Sequence, residues 1–213
     1  MVNDQLRIRI IEEARKQFQT SGIKRVTMSD ISQQLGVSKK TLYNVFKDKK
    51  ELIDFTLEHH INEDIAFVDA VWKEDKDGVY KLARIFFYFY TRMKSINPMT
   101  LLDLKKFYPE IWNKFECHKK GCFDQSMISI IEQGVDEELF FDDMNIPLLV
   151  SMRVWQLESA FDSNLYDHSK YSLATIQMEF FKHFIRGIAT VEGVKLLNQY
   201  LSSFIKETQS TNI

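Results

Sequence analysis

Cysteine is nearly absent from this 213-residue sequence, with only Cys117 and Cys122, five positions apart on a predicted helix. That excludes a disulfide framework, and the pair lacks the spacing of a zinc site, so both read as ordinary thiols. Long apolar runs are missing as well. No segment reaches roughly eighteen uninterrupted apolar residues, which excludes a membrane-spanning helix, and the N-terminus lacks the charged-then-apolar layout of a secretion signal. A cytoplasmic location is therefore expected. There is no glycine loop to cradle phosphates, no nucleophile with a placed base and no metal-spaced cluster. His59 and His60 are adjacent on a predicted helix and point about 100° apart, so they read as solvated or satisfied histidines, as does His118 beside Cys117. No cofactor, metal or catalytic residue is expected.

Charge of one sign is also lacking overall, the net being only -2. Its distribution is uneven. Residues 1–50 carry eleven Lys and Arg against five Asp and Glu, net +6, and the remaining 17 basic and 25 acidic residues make 51–213 net -8. A basic head on an acidic body fits nucleic-acid binding confined to the head, where counterion release supplies affinity without regard to base sequence.

Within that head, the stretch Thr27–Leu52 holds three helix starts. Thr27 followed by Asp30 has the spacing of a capping box, so a helix begins near Met28. Leu35-Gly36-Val37 ends it, since glycine accepts the left-handed conformation that closes helices, and Ser38 caps a second helix over Lys39–Phe46. On that helix Leu42, Val45 and Phe46 fall on one side, while Lys39, Tyr43 and Lys47, flanked by Lys40 and Asn44, fall on the other. Asp48 with Glu51 repeats the capping pattern and starts a third helix at Lys49. A short helix presenting Lys, Thr, Tyr and Asn suits a major groove, because lysine neutralises phosphates, hydroxyls bond phosphate oxygens, and Asn or Lys addresses base edges. Thr27, Ser29, Lys39, Lys40, Thr41, Tyr43, Asn44, Lys47 and Lys49 are the DNA-binding candidates.

The pattern Gly22, Val26-Thr27, Ile31, Leu35-Gly36-Val37-Ser38, Thr41-Leu42-Tyr43, Phe46, Lys49 and Glu51-Leu52 resembles the N-terminal domain of the tetracycline-repressor (TetR) family of bacterial regulators. The match runs ungapped from Ile11 to Leu52. Two positions depart from it: Ser32 stands where a smaller alanine is usual, and Val45 where an aromatic or histidine that can touch DNA is frequent. The resemblance implies an all-α chain, with a three-helix DNA-binding domain followed by a larger helical domain for effector binding and dimerisation. In such relatives the last two long helices form a four-helix dimer interface, here about 145–162 and 170–189.

Periodicity elsewhere predicts a first helix over Asp4–Thr20 closed by Gly22, and a long one from Lys49 to Trp72 linking the head to the body. The polar break Lys73–Gly78 reads as a domain hinge. The expected domains are 1–50 and 51–213, with 49–72 connecting them. Val79–Ser95, apolar nearly all round, reads as the buried central helix of the second domain. Pro98 and Pro109 mark the starts of helices over about 98–107 and 109–133, the latter ended by Gly134. Asn145 caps a helix to about Asp162, Lys170–Ala189 is another whose two apolar faces suggest a homodimer, and Val191–Ile205 is the last, with a frayed tail from Lys206. Aromatic side chains in helical bundles are mostly core, but they also line small-molecule pockets. Tyr90, Phe107, Trp112, Phe115, Met127, Trp155, Glu158 and Phe161 are the pocket candidates for an apolar or aromatic effector.

The function these features indicate is a dimeric, ligand-responsive repressor on a pseudo-palindromic operator in double-stranded DNA. Two other readings stay open at this point. The chain could be an activator or a regulator controlled by a protein partner, or a helical ligand carrier or enzyme whose N-terminal unit merely packs.

Overall fold

The computed structural model describes residues 4–94, 96–118, 124–162 and 164–210, with the side chains of 115–118 and 208–210 outside that description. The described residues form eleven helices and no strand: α1 Asp4–Ser21, α2 Met28–Leu35, α3 Lys39–Val45, α4 Lys49–Trp72, α5 Gly78–Met93, α6 Met99–Phe107, α7 Pro109–His118, α8 Asp124–Asp136, α9 Ile146–Ser159, α10 Leu173–Ile188 and α11 Val191–Ser210. The chain is all-α, as read from its periodicity. It divides into two compact units, one of residues 1–64 with 95–118, the other of residues 65–94 with 119–213. Neither unit is continuous in sequence, and a division at 50/51 falls inside α4. That helix contributes Leu52 and Ile53 to one core and Val68 and Val71 to the other.

In the first unit Ile10, Ile11, Ala14 and Phe18 of α1 pack with Ile31, Leu42, Phe46 and Leu52, and Leu104 of α6 and Ile111 of α7 close the same core. The carbonyls at the end of α1 would be orphaned by helix termination. They are met from α6 and the turn before it: Thr100 Oγ1 donates to Phe18 O at 2.8 Å, Asn97 N to Gln19 O at 2.6 Å and Asn97 Nδ2 to Thr20 O at 3.3 Å. Gly22, at φ 82°, turns the chain out of α1. The buried Asp103 carboxylate of α6 then accepts from Lys24 N at 2.8 Å. These bonds join residues some eighty positions apart, which is why chain order alone does not reveal that α6 and α7 belong to the head.

In the second unit α5 is the central helix, packed against α8, α10 and α11. Its Leu82, Ile85, Phe86 and Phe87 are buried, and the Phe86 ring stacks on Phe181 of α10 at 3.6 Å between centroids. Asp77 caps α5 through Tyr80 N at 2.8 Å and also accepts from the Tyr200 hydroxyl of α11 at 2.5 Å. Burial and that carboxylate push the Tyr200 phenol up to about 12.

Of the helix expected over 109–133, α7 and α8 cover the two described parts, and 119–123 lie outside the described residues. Three expectations are revised. Gly134 does not end α8, which continues to Asp136. The glycine is there because a Cβ would lie 2.3 Å from the Phe140 ring, while the Cβ of a residue at 78 would lie 2.8 Å from the Gly134 backbone. The two apolar faces of α10 are both largely covered within the chain, since Leu173, Ile176, Phe181, Phe184, Ile185 and Ile188 are all buried. Finally, α11 extends through Ser210, so Lys206 lies within the helix. No described helix is long and apolar enough to cross a membrane.

Candidate nucleic-acid interface

The geometry of the head follows from three caps. Thr27 Oγ1 accepts from Asp30 N at 3.2 Å, and the Asp30 carboxylate accepts from Thr27 N at 2.8 Å, closing the capping box at the start of α2. The Thr27 hydroxyl also donates to that carboxylate, and these bonds hold the Asp30 carboxyl below its usual range. Gly36, at φ 66°, ends α2, and Ser38 Oγ accepts from Thr41 N at 3.0 Å to start α3. At α4 the Asp48 carboxylate caps through Glu51 N at 2.8 Å, while Glu51 reaches back one residue beyond the cap, to Lys47 N at 2.6 Å.

With both ends fixed, one side of α3 is anchored and the other is open. Leu42 and Phe46 are fully buried, and the Phe46 ring packs 5.9 Å from Phe55. The Arg7 guanidinium lies 4.1 Å from the Phe55 ring centroid and 5.2 Å from that of Phe46, so Arg7 braces the anchor of α3, while Arg9 is exposed. On the open side Lys39, Lys40, Asn44 and Lys47 are exposed, and Tyr43 is 49% exposed. An apolar-rooted helix with a cationic, hydroxyl- and amide-bearing outer face matches the chemistry of phosphate and base-edge contacts.

Not every candidate joins that face. Thr27 is exposed but its hydroxyl is committed to Asp30, the Thr41 hydroxyl is shared with Ser38 at 2.8 Å, and Ser29 and Thr41 are only half-exposed. Lys49 departs most. Its Nζ donates to Ile23 O at 2.6 Å, and burial pulls its ammonium below the usual lysine range despite Asp103 and Asp30. It ties the start of α4 to the α1–α2 turn and is not a free surface cation. Conversely, Lys24 and Arg25 are exposed just ahead of α2. They counted toward the basic head but not among the candidate contacts, because no helical periodicity covers the turn that presents them.

The eight pocket candidates are scattered over both units. Phe107, which is exposed with Lys24 and Lys106 near its ring, and Trp112, packed on the first core, lie in the first unit. The side chain of Phe115 is outside the described residues. In the second unit Met127 is a core residue, Tyr90 stacks with Phe86 at 5.8 Å, and Glu158 and Phe161 are half-buried near the end of α9. Trp155 is 64% exposed, on the same side of α9 as Leu148 at 57% and Met152 at 53%. It sits in an outward apolar stripe and not in a pocket wall.

One group of metal-capable atoms exists among the described residues, Glu12, His59 and Glu63, mutually within 4.8 Å. His59 Nε2 is 3.3 Å from Glu12 and 3.5 Å from Glu63, and Arg15 pairs with both carboxylates at 2.5 and 2.8 Å. With the Arg15 guanidinium already bridging both acids, the cluster is an ion-pair network joining α1 to α4. His60 lies beside Glu63 and Asp64. Cys117, His118 and Cys122 lie outside the described side chains.

Residues 10–54 match the model of the family described as bacterial regulatory proteins, tetR family. An HTH-type transcriptional regulator of Staphylococcus aureus is 31% identical over 96 residues, 45% of this chain and 51% of that protein. A second S. aureus regulator of the same description is 28% identical over 95 residues, 45% of this chain and 51% of its own length. The chain spans about half the length of these curated relatives. Solved structures extend the likeness in fold. A TetR-family transcriptional regulator from Agrobacterium tumefaciens superposes with a TM-score of 0.70 at 14% identity, covering 88% of this chain and 99% of that one. The fatty acid degradation regulator FadR from Bacillus halodurans does so with a TM-score of 0.65 at 17% identity, covering 84% and 93%. Residues 10–54 thus carry the head of the tetR family of bacterial regulatory proteins, and most of the chain shares its fold with solved transcriptional regulators.

Proposed function

We propose that the chain is a sequence-specific DNA-binding transcriptional regulator that acts as a homodimer and responds to a small ligand, with repression as its mode. The observation that carries the DNA-binding part is the two-sided character of α3, with Leu42 and Phe46 fully buried and Lys39, Lys40, Tyr43, Asn44 and Lys47 turned outward. Lys39, Lys40 and Lys47 neutralise phosphates, the Tyr43 hydroxyl bonds a phosphate oxygen, and Asn44 meets a base edge. Two copies set in successive major grooves lie roughly 35 Å apart, which calls for a pseudo-palindromic operator.

The outward stripe Leu148, Met152 and Trp155 supports α9 as the main contributor to the dimer, with α10 beside it. Three large apolar side chains exposed on one helix face are costly to leave in water and are gained back on association. The second unit is the place for an effector, and α4, which is shared between the two cores, is the element through which its binding changes the head.

Anisotropy titration of the chain's own upstream DNA, against an unrelated duplex of equal length, tests this reading. Tighter binding to the upstream DNA, by about 10³-fold or more as specific sites show, is the expected result. Equal affinity for both duplexes contradicts it.

A further inference from the structure

Among the described residues Arg153 is a buried cation without a counter-ion. It is 6% exposed on the inner side of α9, and its one hydrogen bond runs from Nη2 to Gln177 Oε1 of α10 at 3.5 Å, the outer limit of such a bond. Its Nη1 is buried with no hydrogen-bond partner, and so is Oε1 of Gln156, one turn further along α9. Gln177 is already committed, donating from Nε2 to Leu157 O at 3.0 Å. Burial draws the guanidinium down to about 10, and no carboxylate among the described residues offsets it. A desolvated charge of this kind is strongly unfavourable unless paired, and the planar fork of arginine matches a carboxylate through two parallel bonds.

The direction of the side chain argues against a partner subunit as the source of the missing anion. At 3.6 residues per turn Arg153 points about 130° away from the centre of the Leu148, Met152 and Trp155 stripe, toward the protein's own interior. Its neighbours on that side of α9 are Val150 and Val154, both buried, and Val150 belongs to the core that includes Phe181 and Phe184.

We infer that Arg153 is the anchor of a ligand site in the second unit that takes an organic acid, its carboxylate accepting from the guanidinium and its apolar body set among aliphatic and aromatic side chains. This deepens the ligand-responsive reading and rests on it for the consequence at DNA. It also changes the expected effector from a purely apolar or aromatic molecule to an amphiphilic anion.

The test uses the full chain and no DNA, so it stands apart from the operator experiment. Melting temperature is measured for the wild type and for Arg153→Met, alone and with millimolar hexanoate, decanoate or benzoate, each beside its methyl ester. Without acid, Arg153→Met melts about 2–4 °C above the wild type, because an uncompensated buried charge has been replaced by a side chain of similar volume. At least one acid raises the wild-type value with no matching effect from its ester, and Arg153→Met loses that rise. Arg153→Lys keeps a reduced rise, since it retains the charge without the fork. An Arg153→Met variant that melts below the wild type, acids and esters acting alike, or no response to any of the three acids overturns the proposal.

Discussion

The Lys49 ammonium donates to the Ile23 carbonyl at 2.6 Å, joining the first turn of α4 to the turn between α1 and α2. A lysine that sequence spacing counts with the DNA-facing cations is thereby a structural tie. Lys49→Met removes the donor and leaves the Ile23 carbonyl unmet, a loss of about 1–3 kcal/mol. Chemical denaturation reads that loss, and the salt dependence of DNA binding stays at the wild-type slope. A flattened slope with unchanged stability would return Lys49 to the DNA face.

The capping box at Thr27 and Asp30 predicts a pH dependence of known sign. The folded Asp30 carboxyl titrates below its ordinary value of 3.8 because the Thr27 hydroxyl and backbone N–H bind its ionised form. Its contribution is therefore fully present above the unfolded pKa and is lost as pH falls through the lower, folded one. Asp30→Asn melts below the wild type at pH 7, and the gap closes in acid below 3.8. Thr27→Ala lowers stability by roughly 1 kcal/mol at neutral pH. A gap between Asp30→Asn and wild type that stays constant from pH 7 to pH 3 contradicts this account.

Gly134 marks a close approach of α8 to the Phe140 ring, where an added Cβ would stand 2.3 Å from the ring edge. Gly134→Ala forces the ring out of a site that is 2% exposed, and overpacking of this kind costs about 1–3 kcal/mol. A double-mutant cycle with Phe140→Leu, which relieves the contact, yields a coupling well above the roughly 0.5 kcal/mol of independent sites. Additive effects in that cycle would show the packing to be looser than described.

Trp155→Glu places a charge in the α9 stripe. The expected outcome by light scattering is a dimer for the wild type and a shift to monomer for the variant, which keeps its helical circular dichroism and, within a few degrees, the melting behaviour of a folded chain. A variant that remains dimeric would move the interface away from α9.

What could be read in the sequence and what could not divide by range. Thr27, Gly36 and Ser38 act within four residues of themselves, and each does in the fold what its spacing announced, which is why α2 and α3 begin and end close to where expected. Gly134 reads in the sequence as a helix end because glycine is common there, whereas the reason for this one, Phe140, approaches from another direction. The roles of Lys49, Asp103 and Arg7 are decided by partners twenty to eighty residues away, to which periodicity is blind. Trp155 has the composition of a pocket residue, and only the placement of α9 turns it outward. Arg153 carries no motif at all, and its significance lies in what it lacks once buried.

The central claim, that the outer face of α3 carries the DNA contacts, is tested most directly by the salt dependence of affinity. Fluorescence anisotropy with the chain's own upstream DNA is recorded between about 50 and 200 mM salt for the wild type and for Lys39→Ala combined with Lys40→Ala. Two lost phosphate contacts reduce the slope of log K against log salt by about 1.8, with weaker binding throughout and an unchanged melting temperature. Affinity and slope both equal to those of the wild type would contradict the assignment of α3 to DNA.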